Sequence, residues 1–235
     1  MTGGGKIGSE RISSKNMKEV RYYKNVYSKF WVNQTKIYGY GIYEKNLVKL
    51  ISRSSPKRVF EVGIGTGWPI GAALKKKEIE VDGCDVAERL VSMAQKELRN
   101  ESGIFVGDVE EYQGDLQYDV TYCVRASWYI PDFYATVKKM AAMTKLGGYI
   151  VFDIMDRNSL YCLQSRLRTF KERCGKFLGI HIDERYGTHY ISIVEMKKFL
   201  KENGMVYKYW RERDITHNKD KANTPKVVFL CRKLC

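Results

Sequence analysis

Val59-Phe60-Glu61-Val62-Gly63-Ile64-Gly65-Thr66-Gly67-Trp68 is the stretch on which the fold of this chain turns. Val59, Phe60 and Val62 form an apolar run of strand character, and glycine then takes every second position. The pattern predicts a helix from about Pro69 to Lys77. A strand, a glycine turn and a helix make half of a nucleotide-binding unit. Glycine lets the backbone take positive φ and lets a ligand approach without meeting a Cβ. The helix N-terminus aims free N–H groups and partial positive charge at whatever anion sits there. A dinucleotide fingerprint, G-x-G-x-x-G, counted from Gly63 would need glycine where Trp68 stands. The chain instead reads Glu61-x-Gly63-x-Gly65-x-Gly67, with an acid at the end of the strand.

Downstream, the strand pattern repeats. Ile79 to Asp85 reads as a second strand ending in an acid, followed by a helix from Ala87 to Arg99 with Leu90, Val91, Met93 and Ala94 inward. Asp85 lies roughly twenty residues past the glycine turn, the spacing that lets a carboxylate accept ribose hydroxyls; NAD enzymes share this acid. The third strand, Gly103 to Val106, closes on Gly107-Asp108-Val109. A fourth, Tyr118 to Val124, runs out into Arg125-Ala126-Ser127-Trp128-Tyr129-Ile130-Pro131-Asp132, before a helix over Asp132 to Thr144. The turn Leu146-Gly147-Gly148 leads into a fifth strand, Tyr149 to Ile154. The chain closes with a helix (Ile193 to Asn203), a strand (Met205 to Asp214), the polar loop His217 to Thr224 and a last strand (Pro225 to Arg232).

The acid-plus-glycine turn, the evenly spaced strand-tip acids Glu61, Asp85 and Asp108, and Gly147-Gly148 resemble the class I S-adenosylmethionine-dependent methyltransferases. That resemblance implies an α/β fold: a Rossmann-like seven-stranded, mostly parallel sheet with an antiparallel final strand and helices on both faces. The closing elements match the family's antiparallel sixth and seventh strands. The resemblance also implies roles. Gly63, Ile64, Gly65, Thr66 and Gly67 would approach the methionyl part of S-adenosylmethionine, with Glu61 orienting that loop or its amine. Asp85, with Val86, would hold the ribose. Asp108 would meet the adenine amino group and the Val109 N–H a ring nitrogen. Arg125 would lie near the transferred methyl, and Tyr27 stands where related enzymes often have a cofactor-contacting tyrosine. The product would be S-adenosylhomocysteine. The catechol-type metal site needs an acid at the fourth strand tip, where this chain has Arg125, so no metal is expected.

The segment before the glycine turn, residues 1–55, reads as a helical lid, and residues 56–235 as the methyltransferase domain with a substrate-side insertion at about 157–190. Tyr22, Tyr23, Tyr27, Phe30 and Trp31 give the lid an aromatic face, which attracts a sulfonium cation; the plainer reading packs most of these rings on the sheet. A second helix fits Tyr43 to Arg53, with Leu47, Val48, Leu50 and Ile51 buried. In the insertion, a basic helix (Ser159 to Cys174) precedes a short hairpin, Phe177 to Tyr190, above the strand tips. His181 and His189 are therefore candidate general bases, although a histidine outside any motif is more often structural. Arg125 joins them as a candidate catalytic group. Ser127, Trp128, Tyr129 and Asp153 are candidate acceptor contacts; Trp128 and Tyr129 would equally well cap the next helix.

Composition narrows the rest. An apolar fraction of 44% in 235 residues is that of a globular domain with a sizeable core. No apolar run approaches the roughly eighteen residues of a membrane span, and Met1 to Glu19 lacks the apolar core of a secretory signal. Six cysteines without a C-x-x-C pair fit reduced thiols and a cytoplasmic setting. The net charge of +14 attracts anions, so an anionic small molecule is an expected partner. Lys75-Lys76-Lys77, Lys138-Lys139 and Lys197-Lys198 fall on helix ends or exposed faces, and weigh little for nucleic acid. The expectation is O- or N-methylation of a metabolite, natural product or sugar. The alternatives are an RNA or protein methyltransferase, whose binding would depend steeply on salt, and a non-methyltransferase nucleotide-binding Rossmann protein.

Overall fold

The computed structural model describes residue 32 and residues 40–164, 189–217 and 224–233. The aromatic segment with Tyr27, most of the expected hairpin and His181 lie outside the described residues. Seven strands form one sheet: β1 (Arg58–Val62), β2 (Glu80–Asp85), β3 (Ile104–Val106), β4 (Tyr118–Cys123), β5 (Thr144–Met155), β6 (Met205–Arg211) and β7 (Lys226–Lys233). Their order across the sheet is β3-β2-β1-β4-β5-β7-β6. The pairings β1–β2, β1–β4, β2–β3 and β4–β5 are parallel, while β7 runs antiparallel to both β5 and β6. Only the last strand is therefore reversed; the sixth runs with the other five. This is the expected Rossmann-like sheet with its antiparallel final strand.

The strands alternate their side chains between two cores. On one face Val59, Val81, Val120, Tyr122, Val151 and Val228 pack with α1 (Ile42–Ile51), α2 (Ile70–Lys75) and α3 (Glu88–Leu98). On the other, Phe60, Cys123, Phe152 and Phe229 pack with α4 (Phe133–Met143) and α5 (Ile193–Glu202). Both faces being covered, the central strands read as near-continuous apolar runs. Each fully buried Leu or Phe side chain contributes about 1.5–3 kcal/mol. In α1 the buried residues are Tyr43, Glu44, Leu47, Val48 and Ile51. Leu50 is only partly buried against that core.

Two element boundaries differ from the sequence expectation. The strand foreseen over Met205 to Asp214 stops at Arg211, and Glu212–Thr216 forms a short helix, α6. The Asp214 carboxylate accepts from the Arg211 N–H at 3.1 Å and so starts the helix. β5 also begins earlier than Tyr149: its ladder to β4 already pairs Thr144 with Tyr118, then shifts register before Val120. The Gly147-Gly148 turn is thus an irregularity inside the strand rather than its boundary.

Asp82 separates from Asp85 in the structure. It is buried and fully occupied: Oδ2 takes Arg58 in an ion pair at 2.7 Å and the Tyr118 hydroxyl at 2.9 Å, and Oδ1 accepts from the Asn100 amide at 2.9 Å. Of the two acids in β2, Asp82 therefore fastens the sheet and Asp85 is left at the tip.

Candidate active-site cleft

β1 delivers Glu61 and the glycine turn to the carboxyl edge of the sheet; β2 lies on one side of it, and β4, reached by the crossover from β3, on the other. That crossover leaves a crevice over the strand tips, where open α/β sheets bind their ligands. The glycine turn is tied to β2 by its main chain. Gly63 and Ile64 donate to the Cys84 carbonyl at 2.9 and 3.0 Å. Gly65 donates to Asp85 Oδ2 at 3.0 Å, and the other oxygen, Oδ1, accepts from Ala87 at 2.9 Å. Asp85 therefore holds the turn and starts α3, besides facing the cleft. Burial raises its carboxyl above the ordinary aspartate value, and the two backbone N–H groups pull it back.

Gly63 has φ +72°, and a Cβ there would come within 2.5 Å of the Ala126 methyl. The turn is thus pressed against the fourth strand's exit, leaving no room for a side chain. Glu61 lies beneath it, 6% exposed, and accepts from the Tyr122 hydroxyl at 2.9 Å. Burial pushes its carboxyl up to about 8; the Tyr122 bond opposes that and the Asp85 charge adds to it.

The cleft is lined by Glu61, Gly63, Ile64, Gly65 and Gly67 from the turn, by Asp85 and Val86 from the second strand, and by Asp108 and Val109 from the third. Arg125, Ala126, Tyr129, Ile130 and Pro131 close the fourth side, and Trp68, Pro69, Ile70 and Leu90 also line the cleft. Trp68, 37% exposed, sits 6.5 Å from the Tyr40 ring. The Asp108 carboxylate caps a 3₁₀ turn, Val109–Glu111, by accepting from the Glu110 N–H at 3.1 Å.

Thr66 is buried within the turn and is not among the lining residues; its hydroxyl accepts from the Trp68 N–H at 3.4 Å. Arg125 has φ +63°, a left-handed conformation that costs a non-glycine residue roughly 1–2 kcal/mol. Its guanidinium is 2.9 Å from Glu44 Oε1, so the charge is balanced from α1. Ser127 and Asp153 lie below the cleft. Ser127 donates to the Asp153 carbonyl, and the Asp153 carboxylate takes the Tyr43 hydroxyl at 2.9 Å and the Arg125 N–H at 2.8 Å. Trp128 is buried, with its ring edge-on to Tyr129, which does line the cleft. His189 donates its backbone N–H to the Trp128 carbonyl at 2.8 Å. This places His189 beside the Ser127–Tyr129 turn, with its ring outside the lining. Among the described residues no group of three or more histidines, cysteines or acids could hold a metal ion. Sequence reasoning passed over Tyr43, Glu44 and Tyr122; a glutamate on the inward face of α1 was the readable sign.

Fold and cleft together define a Rossmann-like domain whose carboxyl-edge crevice is ringed by acids. Residues 60–152 match the family model described as a methyltransferase domain. Among curated proteins it is similar to the ubiquinone biosynthesis O-methyltransferase of Bordetella bronchiseptica, with 34% identity over 110 residues, 44% of this chain and 45% of that protein. It is also similar to the enzyme of that name from Azoarcus sp., with 30% identity over 108 residues, 43% of this chain and 46% of that protein. The chain thus spans less than half the length of these curated relatives. Similar folds include a SAM-dependent methyltransferase of Thermotoga maritima (TM-score 0.57, 18% identity, 92% of this chain and 99% of that chain). Another is the magnesium protoporphyrin IX methyltransferase of Synechocystis with bound SAH (TM-score 0.66, 14% identity, 94% of this chain and 100% of that chain).

Proposed function

We propose that the chain transfers a methyl group from S-adenosylmethionine to a small-molecule acceptor. The observation that carries this is the ring of carboxyl groups, Glu61, Asp85 and Asp108, around one cleft of a chain whose net charge is +14. An acid-ringed cleft on a basic protein suits a cationic ligand rich in hydrogen-bond donors. The donor, with its sulfonium, ammonium and ribose hydroxyls, has that character. The residues fit it part by part. Gly63 and Gly65 leave the main chain bare for its methionyl end, Asp85 accepts from the ribose, and Asp108 accepts from the adenine amine. Val86, Val109 and Ile130 offer apolar cover to the ring.

The donor carries its own leaving group, so orienting the acceptor in line with the S–CH3 bond supplies much of the rate. Tyr129 and Trp68 are the aromatic surfaces from which an acceptor ring would be held. An oxygen acceptor is favoured by the relatives named as O-methyltransferases. Such an acceptor uses a base, for which His189 and His181 are the candidates. The guanidinium of Arg125 is engaged by Glu44, which argues against its being the anchor of an anionic acceptor.

Calorimetric titration of the purified protein with S-adenosylmethionine, S-adenosylhomocysteine and NAD tests the reading. Micromolar binding of the first two and none of NAD is expected; binding of NAD alone would sink it. Asp85→Ala should weaken S-adenosylhomocysteine binding by at least about tenfold, since charge-assisted hydrogen bonds contribute about 1.5–3 kcal/mol. Circular dichroism should show the helices and sheet retained. Parental affinity in that variant would refute the ribose role of Asp85.

A further inference from the structure

We propose that Asp153 is a positioning residue for the donor cleft, gripping the exit of β4 from below and locking it to helix α1. The inference rests on the donor reading above. Asp153 is fully buried in β5, and its side chain is not part of the cleft lining. Its two carboxylate oxygens are divided between distant parts of the chain. Oδ2 takes the Tyr43 hydroxyl at 2.9 Å, from α1, and Oδ1 takes the Arg125 N–H at 2.8 Å, from the β4 exit. The Asp153 carbonyl, in turn, accepts from the Ser127 hydroxyl. One residue thus holds positions 125 and 127, on either side of Ala126.

Helix α1 grips the same place a second time. Glu44 pairs with the Arg125 guanidinium at 2.9 Å while its other oxygen, Oε2, accepts from the Gly41 N–H at 3.1 Å. Residue 125 is therefore fastened to α1 directly by its side chain and, through Asp153, by its main chain. The reason such a double grip matters is the backbone itself: Arg125 is a non-glycine residue at φ +63°. That conformation persists only where the surroundings over-determine it. Ala126 follows, and its methyl lies where a Cβ on Gly63 would meet it at 2.5 Å. Relaxing Arg125 would move Ala126 against the glycine turn and change the width of the cleft. The neighbours of Asp153 on the same face, Val151 and Leu230, are apolar.

The grip depends on charge. Ionised, Asp153 accepts from both partners; protonated, it carries a proton on one oxygen and loses one of the two charge-assisted bonds. The groups that act on it are Tyr43 from α1, Arg125 from the β4 exit, Cys123 in β4 and Lys226 from β7, while Glu44 from α1 and Glu212 from α6 act on Tyr43 beside it. Burial pushes the Asp153 carboxyl up to about 6, while the Arg125 N–H, Lys226, the Tyr43 hydroxyl and the Arg125 charge hold it down. The clamp is accordingly whole above this pH and released below it.

The test is the affinity for S-adenosylhomocysteine from pH 5 to 9, measured on the parent protein, Asp153→Asn and Tyr43→Phe. For the parent, affinity should fall as pH drops through about 6. Asp153→Asn should bind about tenfold more weakly at pH 7.5 and show no step there. Tyr43→Phe should keep the step but move it to higher pH, because the hydroxyl that favours the ionised form is gone. In the ligand-free parent, the Arg125 amide resonance should titrate with the midpoint of the affinity step, and bound S-adenosylhomocysteine should move that midpoint to lower pH. Parental affinity and an unchanged step in Asp153→Asn would overturn the proposal. So would a Tyr43→Phe profile superimposable on the parent's. Failure of the parent to bind S-adenosylhomocysteine at any pH would instead overturn the donor reading, and the positioning role with it.

Discussion

Glu61→Gln is expected to make the protein more stable and, at the same time, a poorer binder of its donor. Glu61 is held at 6% exposure under the glycine turn, and burial raises its carboxyl to about 8 from an ordinary value of 4.5. The sign follows from linkage. An acid raised on folding leaves stability intact below about 4.5 and removes it progressively as pH climbs to about 8. At pH 7 the folded protein keeps a proton that the unfolded chain has released, which costs roughly 3 kcal/mol. Glutamine is neutral and of the same shape, and its amide oxygen can still accept from the Tyr122 hydroxyl. The gain in stability should therefore be small at pH 5 and grow towards pH 8, read as the difference in urea midpoints. Binding should move the other way. A cationic donor beside Glu61 favours the carboxylate, so binding at pH 7 should release a proton from the parent and none from the variant. Titration in buffers of different ionisation enthalpy counts that proton. A stability difference independent of pH would contradict the buried, protonated Glu61, and equal proton release would contradict its place beside the donor.

Gly63→Ala is the second substitution expected to act strongly. A methyl at this position meets the Ala126 methyl at 2.5 Å, and the backbone there is at φ +72°. Carbon atoms pack at about 3.5–4.0 Å, so something must move. Overpacking costs about 1–3 kcal/mol and the left-handed backbone roughly another 1–2 kcal/mol. Both parties to the collision are walls of the cleft, the turn on one side and the β4 exit on the other, so the cleft absorbs the shift. Gly204→Ala is the comparison: its φ is +68°, but nothing lies within 4 Å of the added methyl. It should cost only the backbone part, roughly 1–2 kcal/mol, and leave donor binding as it was. Equal losses of stability in the two variants, or retained donor affinity in Gly63→Ala, would remove the packing argument.

Asp85 and Asp153 are both acids at or near strand tips, and the sequence reading sets both in the cleft, one at the ribose and one at the acceptor. The structure separates them by what they face. Asp85 lines the cleft while holding the Gly65 N–H, whereas Asp153 is turned beneath it towards Tyr43. Likewise Ser127 and Tyr129, two residues apart, go to opposite sides: the serine is buried on the Asp153 carbonyl and the tyrosine opens onto the cleft. A 3₁₀ turn over Ser127–Tyr129 makes that division, and no pattern of apolar residues announces it.

The order of strands and helices could be read from sequence because it is carried by local signals. Apolar runs of strand length, glycines that punctuate them, and an acid closing each of three runs are all properties of neighbouring residues. The same holds for the glycine turn and the tip acids Glu61, Asp85 and Asp108, whose spacing is a property of the crossover units themselves. What the tertiary structure alone decided are the pairs that span long stretches of chain. Tyr122 beneath Glu61 is 61 residues away, Arg125 is 81 residues from Glu44, and Tyr43 is 110 from Asp153. Each pair exists because two strands, or a strand and helix α1, share one face of the sheet, and the face a polar side chain shares is set by register. These pairs decide which carboxyls carry protons and how firmly the β4 exit is held, and both are consequences of burial and of partners brought together by folding.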